Sequence, residues 1–153
     1  MTRNPLVLLG ATALGVVAFG LAHRGLGAPA PNSKVLNPEY VKGLCVPTNS
    51  KPPKLNPYTR DPQAIAQGKA LWEKIGCYGC HGRGGGGGMG PSLISGRWRY
   101  GGSDACVFTS IYFGRPKGMP AWGKLGNLKP DEIWKVVAYV RSLYKGDPSL
   151  VVW

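Results

Sequence analysis

The stretch Cys77-Tyr78-Gly79-Cys80-His81 decides how this chain is to be interpreted. Cys-x-x-Cys-His is the attachment signature of c-type haem, in which two thiols bond to the haem and the adjacent histidine ligates iron. A thioredoxin-like dithiol needs a β-α-β setting, and a four-ligand zinc site needs a second Cys/His pair. The sequence offers neither. We therefore expect one haem c, attached through Cys77 and Cys80 and ligated by His81.

The second iron ligand follows from the few residues able to supply it. Beyond an N-terminal leader, His81 is the only histidine, and the methionines are Met89 and Met119. Met89 follows His81 closely, in a glycine run that should still round the haem edge. Met119 lies far enough along the chain to reach the opposite face, and Gly118 and Pro120 indicate a loop around it. We expect Met119 as ligand; an open iron site, a lysine ligand, or Met119 as a core residue are the alternatives.

The composition suits a small chain wrapped around a large apolar cofactor. The 153 residues are within the length of one domain, which excludes a multidomain enzyme. Glycine (24) and proline (14) make up about a quarter of the chain, a share also seen in low-complexity sequences. Because 43% of the residues are hydrophobic and five are tryptophan, we expect a folded chain.

The net charge of +12 restricts the partners to nucleic acid, anionic lipid or acidic proteins. Nothing resembles an RNA- or DNA-binding module, so an acidic redox protein is expected and nucleic acid is not. Arg115, Lys117 and Lys124 bracket Met119 in the sequence. They predict a positive rim at an exposed haem edge that speeds encounter with an acidic partner.

Residues 1–30 are typical of an export signal. They combine Arg3, an uncharged run at 6–22, and a small-residue site at Ala28-Pro29-Ala30. The run is somewhat short for a membrane-spanning helix, which needs about 20 apolar residues, so a retained anchor is the second interpretation. Both place the protein in the periplasm, and a membrane is involved only if the leader is retained.

The remainder divides into a proline-rich extension at 31–60, a helical domain at 61–145 and a tail at 146–153. Six prolines in the extension favour irregular chain there. Three helix starts are visible in the domain, and no segment alternates like a strand, so the fold class is all-α. The starts are Asp61-Pro62 for a helix through 75, Ser103-Asp104 for one ending before Gly114, and Pro130-Asp131-Glu132 for the last, with Arg141 and Lys145 near its end.

Cys45 and Cys106 lie outside the haem motif, in the extension and in the middle helix. Export permits a disulfide, and we expect these two to pair and tie the extension to the domain. Two buried free thiols, or pairing between chains, are the alternatives.

Trp98 and Arg99 are candidates for binding the haem propionates, because an indole N–H and a guanidinium fork suit carboxylates. Arg97 and Tyr100 lie beside them, and an ordinary core-and-surface role is the alternative. The seven glycines between 82 and 90 lack a phosphate-loop pattern, so we expect a flexible loop at the haem edge.

From about 61 to 144 the sequence resembles the class I c-type cytochromes. The motifs are Cys77-Tyr78-Gly79-Cys80-His81, then Gly90-Pro91-Ser92-Leu93, then the stretch from Gly114 through Gly118-Met119-Pro120 to Trp122. The resemblance implies a small cytochrome c fold in which terminal helices cross, with Gly68 and Trp72 near Tyr139. It also implies that the carbonyl of Pro91 accepts the ring N–H of His81.

A narrower resemblance lies in Arg97-Trp98-Arg99-Tyr100-Gly101-Gly102-Ser103-Asp104-Ala105. This stretch, with the loop around Met119, is similar to cytochromes that accept electrons from pyrroloquinoline-quinone (PQQ) alcohol or methanol dehydrogenases. It implies a periplasmic one-electron carrier, not an enzyme, that passes electrons to a terminal oxidase or second cytochrome. A haem subunit of a membrane respiratory complex, and a haem enzyme or gas sensor with an open iron site, are the other readings.

Overall fold

A computed structural model describes residues 30–45 and 55–144. The leader up to residue 29, residues 46–54 of the extension, Lys145 and the tail at 146–153 lie outside the described residues. The described chain is helical without named strands, as expected, apart from one isolated bridge between Arg115 and Met119. Its helices are α1 (Pro38–Gly43), α2 (Pro62–Ile75), α3 (Tyr78–His81), α4 (Asp104–Phe113) and α5 (Pro130–Leu143).

The three long helices begin where the sequence predicts. The Asp61 side chain accepts the backbone N–H groups of Gln63 and Ala64 and so starts α2. Ser103 caps α4 by accepting the N–H of Cys106. α5 starts at Pro130, a residue that needs no hydrogen-bond partner for its nitrogen in the first turn.

The extension is not irregular throughout, and that expectation was wrong for α1. The Asn37 side chain accepts the N–H groups of Glu39 and Tyr40, and Pro38 occupies the first helical position. This proline therefore starts a helix instead of preventing one. Val41 of α1 is fully buried.

The crossing of α2 and α5 forms the centre of the fold. A Cβ placed on Gly68 would lie 2.0 Å from the carbonyl oxygen of Lys135, so the two backbones are in contact there. One turn later, the rings of Trp72 and Tyr139 meet edge to face at 5.8 Å. This confirms the helix crossing that the resemblance implies.

A hydrogen bond and a disulfide are among the contacts that hold residues of the extension to the helical core. Trp134 of α5 is fully buried and donates its indole N–H to the carbonyl of Val35, at 2.7 Å. Cys45 and Cys106 form a disulfide with Cα atoms 4.6 Å apart, in agreement with the predicted pairing. None of the described helices is long and apolar enough to span a membrane.

Candidate haem-binding site

The cysteine motif follows directly after the end of α2. The helix ends at Ile75, and the following Gly76 turns the chain with a left-handed φ of 80°. The N–H of Cys77 still bonds to the carbonyl of Trp72 at 3.1 Å. The N–H of His81 then bonds to the carbonyl of Cys77 at 3.0 Å. Cys77, Cys80 and His81 therefore lie within one helical turn, an arrangement that suits attachment to one edge of a haem with a ligand beneath it.

The ring of His81 is oriented by a backbone carbonyl. Its Nδ1 lies 2.9 Å from the carbonyl oxygen of Pro91, and since a carbonyl can only accept, Nδ1–H is the donor. This is the contact that the resemblance implies. Nε2 then carries the lone pair, so it is the nitrogen available to iron, and the hydrogen bond at Nδ1 raises its basicity.

The glycine run folds back onto the motif. The N–H groups of Gly87 and Gly90 bond to the carbonyls of His81 and Cys80, at 2.8 and 2.9 Å. A Cβ on Gly90 would lie 2.9 Å from two atoms of the His81 ring. The expectation of a simply flexible loop missed this packing, because glycine permits a backbone approach that any side chain would block.

The two motif cysteines are free thiols in the described chain. Burial raises the pKa of the Cys77 thiol to about 11; a backbone hydrogen bond lowers the pKa by less, and the charge of Cys80 raises it further. A redox-active dithiol needs a cysteine with a lowered pKa, so this environment does not favour the thioredoxin-like alternative. Among the described residues, no group of three His, Cys, Asp or Glu side chains is arranged to hold a metal ion.

The methionines differ in their surroundings. Met119 is partly buried against the hydrophobic core, whereas Met89 is 87% exposed. A tight turn holds Met119: its carbonyl accepts the N–H of Arg115 at 3.1 Å and would lie 2.7 Å from a Cβ on Gly114. The shape of this loop therefore depends on a glycine at position 114 with φ of 72°.

Trp98 and Arg99, the two residues predicted to bind the haem propionates, differ in burial. The indole Nε1 of Trp98 is buried and has no hydrogen-bond partner among the described residues. Arg99 is exposed, with its guanidinium 5.9 Å from the Tyr100 ring centroid. The structure thus turns Trp98 inward and Arg99 outward.

Arg141 is the charged residue whose position sequence reasoning missed. It lies near the end of α5, as predicted, but it is buried, and its guanidinium lies 5.1 Å from the Trp98 ring centroid. It follows Val137 by one helical turn and Trp134 by two, so it lies on a buried face of α5. The helical spacing of Arg141 from Trp134 and Val137 is the sequence signal that could have predicted its burial.

Arg115 is also placed differently from the sequence expectation. Its guanidinium lies 4.6 Å from the Tyr100 ring centroid, and its Nε donates to the Ser110 hydroxyl at 3.0 Å. Lys117 and Lys124 are exposed. The two lysines are therefore exposed charges near Met119 in the sequence, whereas the Arg115 guanidinium packs on Tyr100.

The residues present fit a haem c. His81 offers Nε2, Cys77 and Cys80 occupy one turn, and Trp98 directs a buried N–H at an acceptor that the described chain does not supply. Fold and site together define a class I c-type cytochrome. Residues 63–140 match the family described as cytochrome c oxidase, cbb3-type, subunit III, and the chain belongs to that family.

Two relatives support the same assignment. The chain is 33% identical over 104 residues to cytochrome c-L of Methylorubrum extorquens, covering 64% of this chain and 49% of that protein. It is 38% identical over 96 residues to the cbb3-type cytochrome c oxidase subunit FixP of Bradyrhizobium sp., covering 55% and 33%. The chain thus spans about half the length of the first relative and a third of the second.

Two solved structures agree with the fold. The cytochrome CL of the marine methylotrophic bacterium Methylophaga aminisulfidivorans matches with a TM-score of 0.55 and 34% identity, over 61% of each chain. Cytochrome cL from Hyphomicrobium denitrificans matches with a TM-score of 0.53 at 24% identity, over 71% of this chain and 69% of that one, which supports the fold alone. The sequence comparisons and the fold therefore agree in identifying a c-type cytochrome.

Proposed function

We propose that this protein is a periplasmic one-electron carrier with a single haem, attached through Cys77 and Cys80 and held between His81 and Met119. The observation that carries the proposal is the hydrogen bond from His81 Nδ1 to the Pro91 carbonyl, which presents Nε2 for ligation. When bound, the haem iron supplies the one-electron chemistry. Met119 would supply the second iron ligand, and the iron would then have no coordination position for a substrate.

The proposed electron donor is a quinoprotein (PQQ) alcohol dehydrogenase. The resemblance at 97–105 supports it, as does the likeness to cytochromes c-L, one of them from a methylotrophic bacterium. A terminal oxidase or a second cytochrome is the proposed acceptor. The decisive test mixes the purified holoprotein with candidate dehydrogenases and follows haem reduction; no reduction by any PQQ dehydrogenase would remove this donor class.

Iron ligation is tested by carbon monoxide binding to the reduced protein. We expect slow or no binding for the wild type and rapid binding for Met119→Ala, because that change opens a coordination position. Met89→Ala is the matched control, since Met89 is exposed, and it should behave like the wild type. Rapid binding by the wild type would favour the gas-sensor or haem-enzyme interpretation.

The proposed docking surface lies beside Met119 and is positive. Lys42 of the extension and Lys124 lie 4.9 and 5.1 Å from the centroid of the Phe113 ring, and Lys117 is exposed nearby in sequence. Such a surface steers an acidic partner, an effect that weakens with salt. Lys117→Glu with Lys124→Glu should slow association and flatten its salt dependence, and Lys129→Glu serves as an exposed control. Equal association rates for the wild type, the double variant and the Lys129→Glu control would exclude this surface.

A haem subunit of a membrane respiratory complex is the second candidate, and the family match specifically favours it. It predicts a retained leader and recovery with membranes. N-terminal sequencing of the exported protein separates it from a free carrier, which should start near residue 31.

A further inference from the structure

A buried ion pair lies behind the Trp98 ring. The Arg141 side chain is 5% exposed and that of Asp104 13%, and Nε lies 2.7 Å from Oδ1. Nη2 of Arg141 also donates to the carbonyl of Gly102, at 2.5 Å. The last turn of α5 is thereby joined to the first residue of α4 and to the chain that precedes it. Charges this deeply buried are screened far less by water and salt than surface charges.

The same guanidinium supports Trp98. Its Cζ lies 5.1 Å from the ring centroid, within the range of a cation–π contact. The Trp98 Nε1 is buried without a hydrogen-bond partner among the described residues, although a buried donor without an acceptor is costly. An indole N–H can only donate, so it requires an acceptor from outside these residues, and a carboxylate is a strong one.

The segment between Trp98 and Asp104 is held from two sides. On one side, the Arg141 guanidinium bonds to the carbonyl of Gly102 and to the carboxylate of Asp104. On the other, a Cβ on Gly101 would lie 2.6 Å from Cys106 Sγ, so the chain packs directly on the disulfide. The chain that follows Trp98 is therefore positioned by Arg141 and by the disulfide.

We propose that Arg141 and Asp104 are a charge pair that tunes the reduction potential of the haem, and that Arg141 positions Trp98 against a haem carboxylate. This inference rests on the proposed haem site. A buried cation near the haem favours the ferrous state and a buried anion the ferric state. In the intact pair the two effects largely cancel, and removing one partner leaves the other uncompensated.

The test compares the reduction potentials of holoprotein variants by spectroelectrochemistry. Arg141→Gln should lower the potential, because the Asp104 carboxylate remains alone. Asp104→Asn should raise it, because the guanidinium remains alone. The double variant should lie between the two single variants and near the wild type, and Arg141→Lys should keep more of the wild-type value than Arg141→Gln.

A purely structural pair would behave differently. If the pair were only structural, Arg141→Gln and Asp104→Asn would both loosen the site and shift the potential in the same direction. That result would overturn the proposal, and so would the absence of a shift in both variants. Asp131→Asn and Lys135→Gln break a more exposed pair near the start of α5 and are the charge-matched controls; both should leave the potential unchanged.

Two safeguards keep the outcome clear. If Arg141→Gln fails to fold, Asp104→Asn still decides, because it must raise the potential while the two control variants leave it unchanged. Haem content and reduction by a dehydrogenase are measured on the wild type. Failure there would contradict the proposed function, whereas a normal wild type with shifts of one sign contradicts only the charge pair.

Discussion

Gly68 and Lys135 touch through their backbones: a Cβ at position 68 would lie 2.0 Å from the carbonyl oxygen of residue 135. This contact sets how closely α2 approaches α5, and α2 carries the haem motif at its end. Trp72, one turn after Gly68, lies 6.0 Å from the His81 ring and 5.8 Å from that of Tyr139. The helix crossing thus fixes the proposed iron ligand relative to the core.

Gly68→Ala should destabilise the protein by about 3 kcal/mol, because the added methyl group forces the two helices apart. Denaturant unfolding of the holoprotein measures the loss. Gly43→Ala is the control, since a Cβ there meets no atom within 4 Å. Equal stability of the two variants would contradict the close crossing.

Gly90→Ala should disturb the ring of His81, because the new methyl group would lie 2.9 Å from its Cε1 and Nδ1. We expect a lower fraction of protein carrying haem and a loss of about 1–3 kcal/mol in stability. The haem-to-protein absorbance ratio and denaturant unfolding measure both. Gly86→Ala, in the same run but facing open space, should resemble the wild type.

Replacing both Cys45 and Cys106 by alanine should lower the stability by up to about 4 kcal/mol. The disulfide spans a sequence separation of 61 residues, so it removes considerable freedom from the unfolded chain. Thermal unfolding with and without a thiol reductant gives the measurement. Reductant should destabilise the wild type and leave the double variant unaffected; a wild type that does not respond would contradict a stabilising bond.

Asp131→Asn should reduce stability at neutral pH by about 1 kcal/mol. Burial alone would raise the pKa of Asp131, but hydrogen bonds from Lys135 and Tyr58 and the Lys135 charge outweigh it, so the pKa is lowered. A carboxylate with a lowered folded pKa stabilises the fold above its unfolded pKa, near 4, and loses that contribution as the pH falls through the folded pKa.

The stabilities of wild type and Asp131→Asn should therefore converge in acid. Urea unfolding at pH 7 and at about pH 3 tests this. A difference that stays constant across this range would mean that the Asp131 charge contributes nothing. Burial, reinforced by the Asp131 hydrogen bond, raises the pKa of Tyr58 to about 12, so the phenol stays a donor throughout.

The parts of the fold that were predictable depend on neighbours in the chain. Asp61 and Ser103 cap their helices with side chains that reach only two or three residues ahead. The motif around Cys77 needs no more than one helical turn. α1 was missed although its signal is equally local, because the prolines around Asn37 were weighed as helix breakers rather than as a first helical residue.

Side-chain placement between distant segments was not predictable in this way. The sequence established the haem motif, the helix starts and the scarcity of candidate iron ligands, since each depends on residue type and short spacing. Two placements depend on how the helices meet across the core. Arg141 is buried under Trp98, and Arg115 packs on Tyr100 instead of facing a partner. A charged side chain is stable in the interior only when folding brings its partner there, and Asp104 lies on another helix.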